Sequence, residues 1–377
     1  MTGGRQGKIL SYLLTLGVVL LHFPHHQTKG FLRGPEVSGG PQTASVTGNN
    51  AFQEAFALKR EIVLEKKSGT VTQLVVDKKG FLWVQNRKEG RIEKYDPNGR
   101  LVKVIGGAGQ GPGRFLLLIS FALDEEKGHV FAVDLQQSRI NLFTQEGQFI
   151  TSWIVARPGY MPDSIVLDGK RGFYYLGGSL PKRRWISEGS LHVHKYKLGT
   201  NEYVRSFLET DRSVKEKNLF NFLYVSSLDI DSLGNVYCTL APVYKIFKID
   251  TRRGTIQTFS GKHRYYKPPP VYPSSLKREE LRRLRESWAQ ADRVLIVRDR
   301  FAVLSLEIHK PFPYGLEVFD TNGRVLKTDI LTDGALVGKD HEGNLYFAVT
   351  RNGRYIIAQY SLTVPGKPAR SPRKRAD

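Results

Sequence analysis

Five times in this chain an apolar stretch ends in Asp, two or three residues intervene, a Gly follows, and an apolar-aromatic stretch begins. The instances are LVVDKKGFLWV (74–84), FALDEEKGHVFAV (121–133), IVLDGKRGFYYL (165–176), LDIDSLGNVYC (228–238) and LVGKDHEGNLYFAV (336–349). Two runs of β-formers joined by such a turn make a hairpin. The Asp side chain accepts a hydrogen bond from a backbone N–H two residues on, and the Gly takes a positive φ without steric cost. A second hairpin follows each of the first four: RIEKYDPNGRLVKVI (91–105), RINLFTQEGQFITSW (139–153), LHVHKYKLGTNEYVRSF (191–207) and YKIFKIDTRRGTIQTF (244–259). A further one, GLEVFDTNGRVLKTDI (315–330), precedes the last Asp–Gly hairpin.

Strand, turn, strand, loop, strand, turn, strand is a four-stranded unit, and the units start roughly 45–60 residues apart, the period of β-propeller blades. Six inner strands are expected, near Val71–Val76, Ile119–Leu123, Ser164–Leu167, Ser227–Ile230, Val294–Val297 and Ala335–Val337. The fifth unit is degenerate: Arg298-Asp299-Arg300 stands where the Asp–Gly turn belongs. The sixth stops after its third strand, RYIIAQYSL (354–362), while a surplus strand, FALKREIVLEKK (56–67), precedes the first unit. Pairing the surplus strand with the incomplete unit closes the ring and removes two free sheet edges. The expected fold is therefore all-β: a six-bladed β-propeller of four-stranded antiparallel blades, closed by an N-terminal strand, with one helical insertion.

The stretch GGAGQGPGRF (106–115), followed by ALDEEKGHVFAVDLQQSRINLFTQEGQFI (122–150), resembles the NHL-type repeat of six-bladed propellers of the kind found in exported bacterial proteins. The first unit shares Asp77, Gly80, Val84, Arg91, Ile92, Tyr95 and Gly99 with that pattern. The resemblance implies a fold and says little of activity, because propellers host binding, scaffolding and several chemistries. The glycine-rich connector lacks the Gly-Lys-Ser/Thr ending and following helix of a nucleotide loop, so it reads as a crossing between blades. Arg91 and Arg139 recur at matching positions and are expected to make ion pairs or backbone contacts within their blades.

Arg5 and Lys8 precede a mostly apolar run, Ile9–Leu21, which fits an export signal and is short for a membrane-spanning helix. Residues 1–29 therefore read as a signal peptide or short anchor. Residues 30–55, rich in Gly, Pro, Ser, Thr and Asn, read as a flexible linker. Residues 56–364 form the propeller, with the helical insertion at 261–292, and 365–377 are a basic disordered tail. The single cysteine, Cys238, excludes an intrachain disulfide and any cysteine-rich metal centre; it reads as a small core residue. The formal charge is +21. An excess of this kind attracts nucleic acid, acidic polysaccharide or anionic lipid without choosing among them.

No catalytic residue, metal ligand or cofactor is assigned from the sequence. His192 and His194 share one face of a strand, yet spacing identifies no third ligand. The insertion contains SSLKREELRRLRESWAQ (274–290), which reads as a helix with Leu276, Leu281, Leu284 and Trp288 on one face. Arg278, Arg282, Arg283 and Arg285 lie on the other face and offer a basic docking surface. In LPKRRWISEGS (180–190), Trp185 beside Arg183 and Arg184 suits a carbohydrate or peptide contact. The expected protein is an exported, monomeric, non-catalytic propeller that binds a protein, peptide or acidic glycan through one face; membrane contact is limited to an N-terminal anchor, and export argues against nucleic acid. Two rivals stand beside it: a metal-dependent hydrolase or lyase working at the central tunnel, and a binder of anionic polymers through a basic face.

Overall fold

A computed structural model describes residues 46–65, 69–155, 161–180, 190–272, 280, 283–284 and 287–364. All of them fall in one of the two units into which the chain divides, Ala44–Asp377; the other, Met1–Thr43, lies outside the described residues, as do the expected signal segment and the basic tail.

After a short helix, α1 (Asn50–Ala55), the chain enters β1 (Phe56–Leu64). Blade 1 is β2 (Val71–Val76), β3 (Leu82–Asn86), β4 (Arg91–Tyr95) and β5 (Leu101–Gly106). Blade 2 is β6 (Leu118–Asp124), β7 (His129–Asp134), β8 (Arg139–Thr144) and β9 (Phe149–Ile154). Blade 3 is β10 (Met161–Asp168), β11 (Phe173–Leu180), β12 (Leu191–Lys197) and β13 (Tyr203–Glu209). A short helix, α2 (Arg212–Glu216), leads to blade 4: β14 (Val225–Ile230), β15 (Val236–Leu240), β16 (Lys245–Ile249) and β17 (Ile256–Ser260). Blade 5 is β18 (Gln290–Val297), β19 (Phe301–Glu307), β20 (Tyr314–Asp320) and β21 (Val325–Thr332). Blade 6 takes β22 (Ala335–Lys339), β23 (Leu345–Arg351) and β24 (Arg354–Leu362) from the end of the chain and β1 from its beginning. The closing register runs from Phe56 opposite Leu362 to Leu64 opposite Tyr355.

The hydrophobic pattern follows position within a blade. Second strands are packed on both faces by the neighbouring blades, so every residue of β3 and β15 is buried. Outer strands are more open: half of β5 and most of β9 are exposed.

The Asp–Gly turns work through the carboxylate. Asp77 Oδ1 accepts from the N–H groups of Lys79 (3.0 Å) and Phe81 (2.9 Å), and Oδ2 accepts from Trp83 Nε1 (2.9 Å). Six residues after the Asp, Tyr237 and Tyr346 likewise donate their hydroxyls to Asp231 and Asp340. These three turns are thus each anchored to a buried aromatic ring of the second strand. The degenerate fifth turn closes differently. Arg298 and Asp299 both hold φ of 53°, the left-handed pair of a tight hairpin turn. Both are tied to neighbours: Arg298 Nε donates to Glu342 O (3.0 Å), and Asp299 Oδ1 accepts from Ser232 N (3.0 Å). Contacts to blades 4 and 6 hold a conformation that a lone hairpin would give to Asn-Gly.

Two expected boundaries move. The linker reading of 30–55 fails over its last ten residues, because Val46, Phe52 and Ala55 are buried. Phe52 stacks among Phe56, Phe347 and Tyr360, and Asn49 Oδ1 accepts from both Phe52 N and Leu331 N. Polar composition hid an apolar triad that three aromatic neighbours hold down. At the other boundary, the insertion expected to end at 292 ends before β18, at Gln290. Its helix is seen at residues 280 and 283–284; residues 273–279, 281–282 and 285–286 lie outside the described residues. Trp288 is buried against Phe222, and Leu284 packs on the same cluster; Leu276 and Leu281 lie outside the described residues.

Candidate binding face and central tunnel

Strand order sorts every connecting segment to one of two ends. Links between blades, and those between second and third strands, lie where inner strands begin, here called the connection end. Links between first and second and between third and fourth strands lie at the turn end. Among the described residues, the segments joining strands at the connection end carry eleven Lys and Arg against six Asp and Glu. Those at the turn end carry eleven of each. The excess charge of the strand-linking segments is therefore one-sided. Exposed cations there include Lys88, Arg114, Lys262, Arg264, Lys267 and Lys310.

The six inner strands belong to six separate sheets and share no backbone ladder. Their facing polar groups still need partners. Side chains supply them, each reaching from one inner strand to the backbone of the next. Gln73 of blade 1 both donates to Phe121 O (2.9 Å) and accepts from Phe121 N (3.1 Å). Ser120 of blade 2 accepts from Ile165 N (3.4 Å), and Asp163 of blade 3 from Val225 N (3.1 Å). In blade 4, Ser226 donates to Ala291 O (2.8 Å) and Asp229 accepts from Ile296 N (2.6 Å). Arg293 of blade 5 spans two junctions, donating to Leu336 O (2.9 Å) and Thr72 O (2.6 Å). The relay completes the circle.

Near the turn end an ion pair and a histidine–carboxylate hydrogen bond cross between blades that are not neighbours. Lys339 Nζ lies 2.5 Å from Asp229 Oδ2, joining blades 6 and 4. His341 Nε2 lies 2.7 Å from Glu125 Oε1, joining blades 6 and 2, and Glu125 Oε2 also accepts from Lys78 N of blade 1. These contacts tie the turn end together, as Arg293, reaching from blade 5 to Thr72 O of blade 1, does nearer the start of the inner strands.

Burial pushes the Asp163 carboxyl up to about 8, opposed by the Val225 N–H. Burial also lowers the pKa of Arg293, opposed by Asp292 and Asp229. His192 is driven down to about 3 by burial and by neighbouring His194. His192 meets Thr210 Oγ1 (2.8 Å), and His194 meets Ser206 Oγ (2.6 Å) and Gly178 O (3.1 Å). They are buried partners of their own blade and are not turned to solvent. Among the described residues, no three His, Cys, Asp or Glu side chains gather where they could hold a metal ion.

Of the candidate contact residues, Arg283 is described and exposed. Arg183, Arg184, Trp185, Arg278, Arg282 and Arg285 lie outside the described residues. Arg91 pairs with Glu93 (2.9 Å), and Arg139 donates to Gly111 O (3.0 Å) and Arg114 O (2.6 Å). The glycine-rich connector is thus held as a blade crossing, with Phe115 buried under it against Phe143. The tunnel relay was missed. Its one signal was the presence of Asp163, Asp229 and the Asp292–Arg293 pair within inner strands otherwise rich in Val, Leu and Ser.

A family described as a 6-bladed beta-propeller matches residues 44–156. The chain is a six-bladed propeller. No curated protein sequence matches it. Among solved structures, a Bacteroides fragilis protein described as exported is similar with a TM-score of 0.58 at 12% identity, over 84% of this chain and 98% of the other. A member of the duf4221 family from Bacteroides vulgatus gives 0.59 at 12% identity, over 83% and 100%. A catalytically inactive virginiamycin B lyase from Staphylococcus aureus, with quinupristin, gives 0.51 at 11% identity, over 81% and 99%. At such identities the likeness is one of fold alone. No helix of the described residues is long and apolar enough to cross a membrane.

Proposed function

We propose that this chain is an exported binding propeller that engages an anionic ligand through its connection end. The observation that carries the reading is the division of charge among the described residues: eleven cationic against six anionic residues at one end, and parity at the other. Charge collected on one end steers an acidic partner to that end, whereas charge spread for solubility would fall on both. Export is favoured by the basic, apolar N-terminal sequence and by likeness in fold to a Bacteroides protein described as exported.

The test is retention on an anionic polysaccharide matrix with salt elution. Reversing exposed cations at the connection end (Lys88→Glu, Arg114→Glu, Lys310→Glu) is expected to release the protein at markedly lower salt. Reversing Lys79, Arg100 and Arg324 at the turn end makes the same change in net charge and is expected to have little effect. Equal loss from both sets would reduce the interaction to net charge and overturn the reading.

A further inference from the structure

Beside blade 4, three connection-end segments enclose a cleft of about 150 Å³. They are the link through α2, the turn between β15 and β16, and the start of the insertion. Pro242 and Pro269 form apolar walls, Tyr244 and Tyr266 an aromatic one, and Lys217 and Lys245 bring charge. The two tyrosine rings lie 4.2 Å apart, and Tyr244 is fixed by a hydroxyl bond to Glu317. Lys245 is already matched by Asp211 at 2.8 Å. Lys217 is not matched. Its ammonium is half-buried and donates to the carbonyl of Pro269 (2.8 Å), and no carboxylate of the described residues pairs with it. A half-buried ammonium left with only a neutral acceptor retains strong attraction for an anion.

We propose that this cleft holds one acidic sugar residue of an anionic polysaccharide, with the pyranose ring against Tyr266 and its carboxylate on Lys217. This rests on the reading of the connection end as an anion-binding face and names the ligand for it. The cleft is smaller than the roughly 300–1,000 Å³ pockets that enclose whole small molecules, so it suits one unit of a polymer. A pyranose presents an apolar C–H face to the tyrosine and proline walls. An Asp or Glu side chain has too short a stem to cover them, which argues against an acidic peptide.

The experiment is calorimetric titration of the full chain with a galacturonate tetrasaccharide, a neutral galactose tetrasaccharide and a Glu-rich hexapeptide. Galacturonate binding is expected to weaken at least tenfold in Lys217→Gln and in Tyr266→Leu, with thermal midpoints near that of the parent. Arg100→Gln, at the turn end, is expected to change affinity less than threefold. If the parent binds galacturonate and Arg114→Gln, elsewhere on the connection end, weakens it while both cleft variants do not, the cleft assignment falls and the face survives. If the parent binds none of the probes, both fall. Preference for the hexapeptide overturns the sugar assignment. Because Lys217→Gln could loosen the insertion, Tyr266→Leu, which keeps an apolar side chain against Tyr244, must show the same loss.

Discussion

Asp229 and Lys339 form an ion pair at 2.5 Å although a whole blade stands between them in the ring. The strand of that intervening blade is caught in the same contact: Ile296 N donates to Asp229 (2.6 Å), and Ile296 O accepts from Lys339 (2.6 Å). Three inner strands without a shared ladder therefore meet on two side chains. Asp229→Ala leaves the Lys339 ammonium with only a carbonyl and removes the acceptor of the Ile230 and Ile296 N–H groups, and is expected to cost about 3–5 kcal/mol. Lys339→Met leaves Asp229 its amide partner and refills the stem, so a smaller loss of about 1–3 kcal/mol is expected. Urea unfolding measures both. Equal losses would mean that the amide bond to Asp229 adds nothing.

Phe52 tests where the folded chain begins. It is buried against three aromatic rings drawn from both ends of the sequence. Phe52→Ala is expected to lower stability by about 3–5 kcal/mol, as truncation of a buried aromatic does. Were residues 46–55 a linker, the same change would leave the unfolding midpoint where it was.

These residues show what a sequence reveals and what it hides. The blades were legible because each hairpin is specified locally. Asp77 and Gly80 are three residues apart, and the Asp77 carboxylate bonds N–H groups of its own turn. Closure was legible as a count, with one strand surplus at the start and one missing at the end. The relay was not, because each of its side chains bonds the backbone of another blade: Gln73 is 48 residues from Phe121, and Asp163 is 62 from Val225. A backbone partner leaves no mark in the residue type opposite. The cleft was hidden for the same reason: Lys217 is held by a carbonyl 52 residues away.

Gly338 marks the seam between blades 6 and 1. A Cβ there would stand 2.1 Å from Leu74 O, a backbone atom of the neighbouring inner strand. Gly338→Ala must part the two strands and is expected to cost about 1–3 kcal/mol, the range for overfilling a packed interior. Ala335, three residues earlier on the same strand, gives the control: Ala335→Gly removes one methyl group and is expected to cost less. Thermal unfolding of the pair distinguishes the seam from a general intolerance of β22.

His192 and Asp163 give opposite pH signatures. The His192 imidazole, held near 3 by burial and by His194, stays neutral in the fold while its unfolded counterpart protonates below about 6.5. Its contribution is present above that value and is lost as pH falls toward 3. His192→Gln is therefore expected to flatten the acid side of a melting-temperature profile.

Asp163 acts on the alkaline side. Its carboxyl, raised from 3.8 to about 8, keeps its proton in the fold at neutral pH, whereas the unfolded chain has released it. Between about 4 and 8 the unfolded state binds fewer protons, so stability declines as pH rises; above 8 both states are ionised and the loss becomes constant. Asp163→Asn keeps an oxygen for the Val225 N–H and removes the titration. Its melting temperature is expected to match the parent near pH 4 and to exceed it at pH 9. A variant that melts below the parent across the whole range would show the carboxylate to be stabilising and its burial to be compensated by a partner in the tunnel.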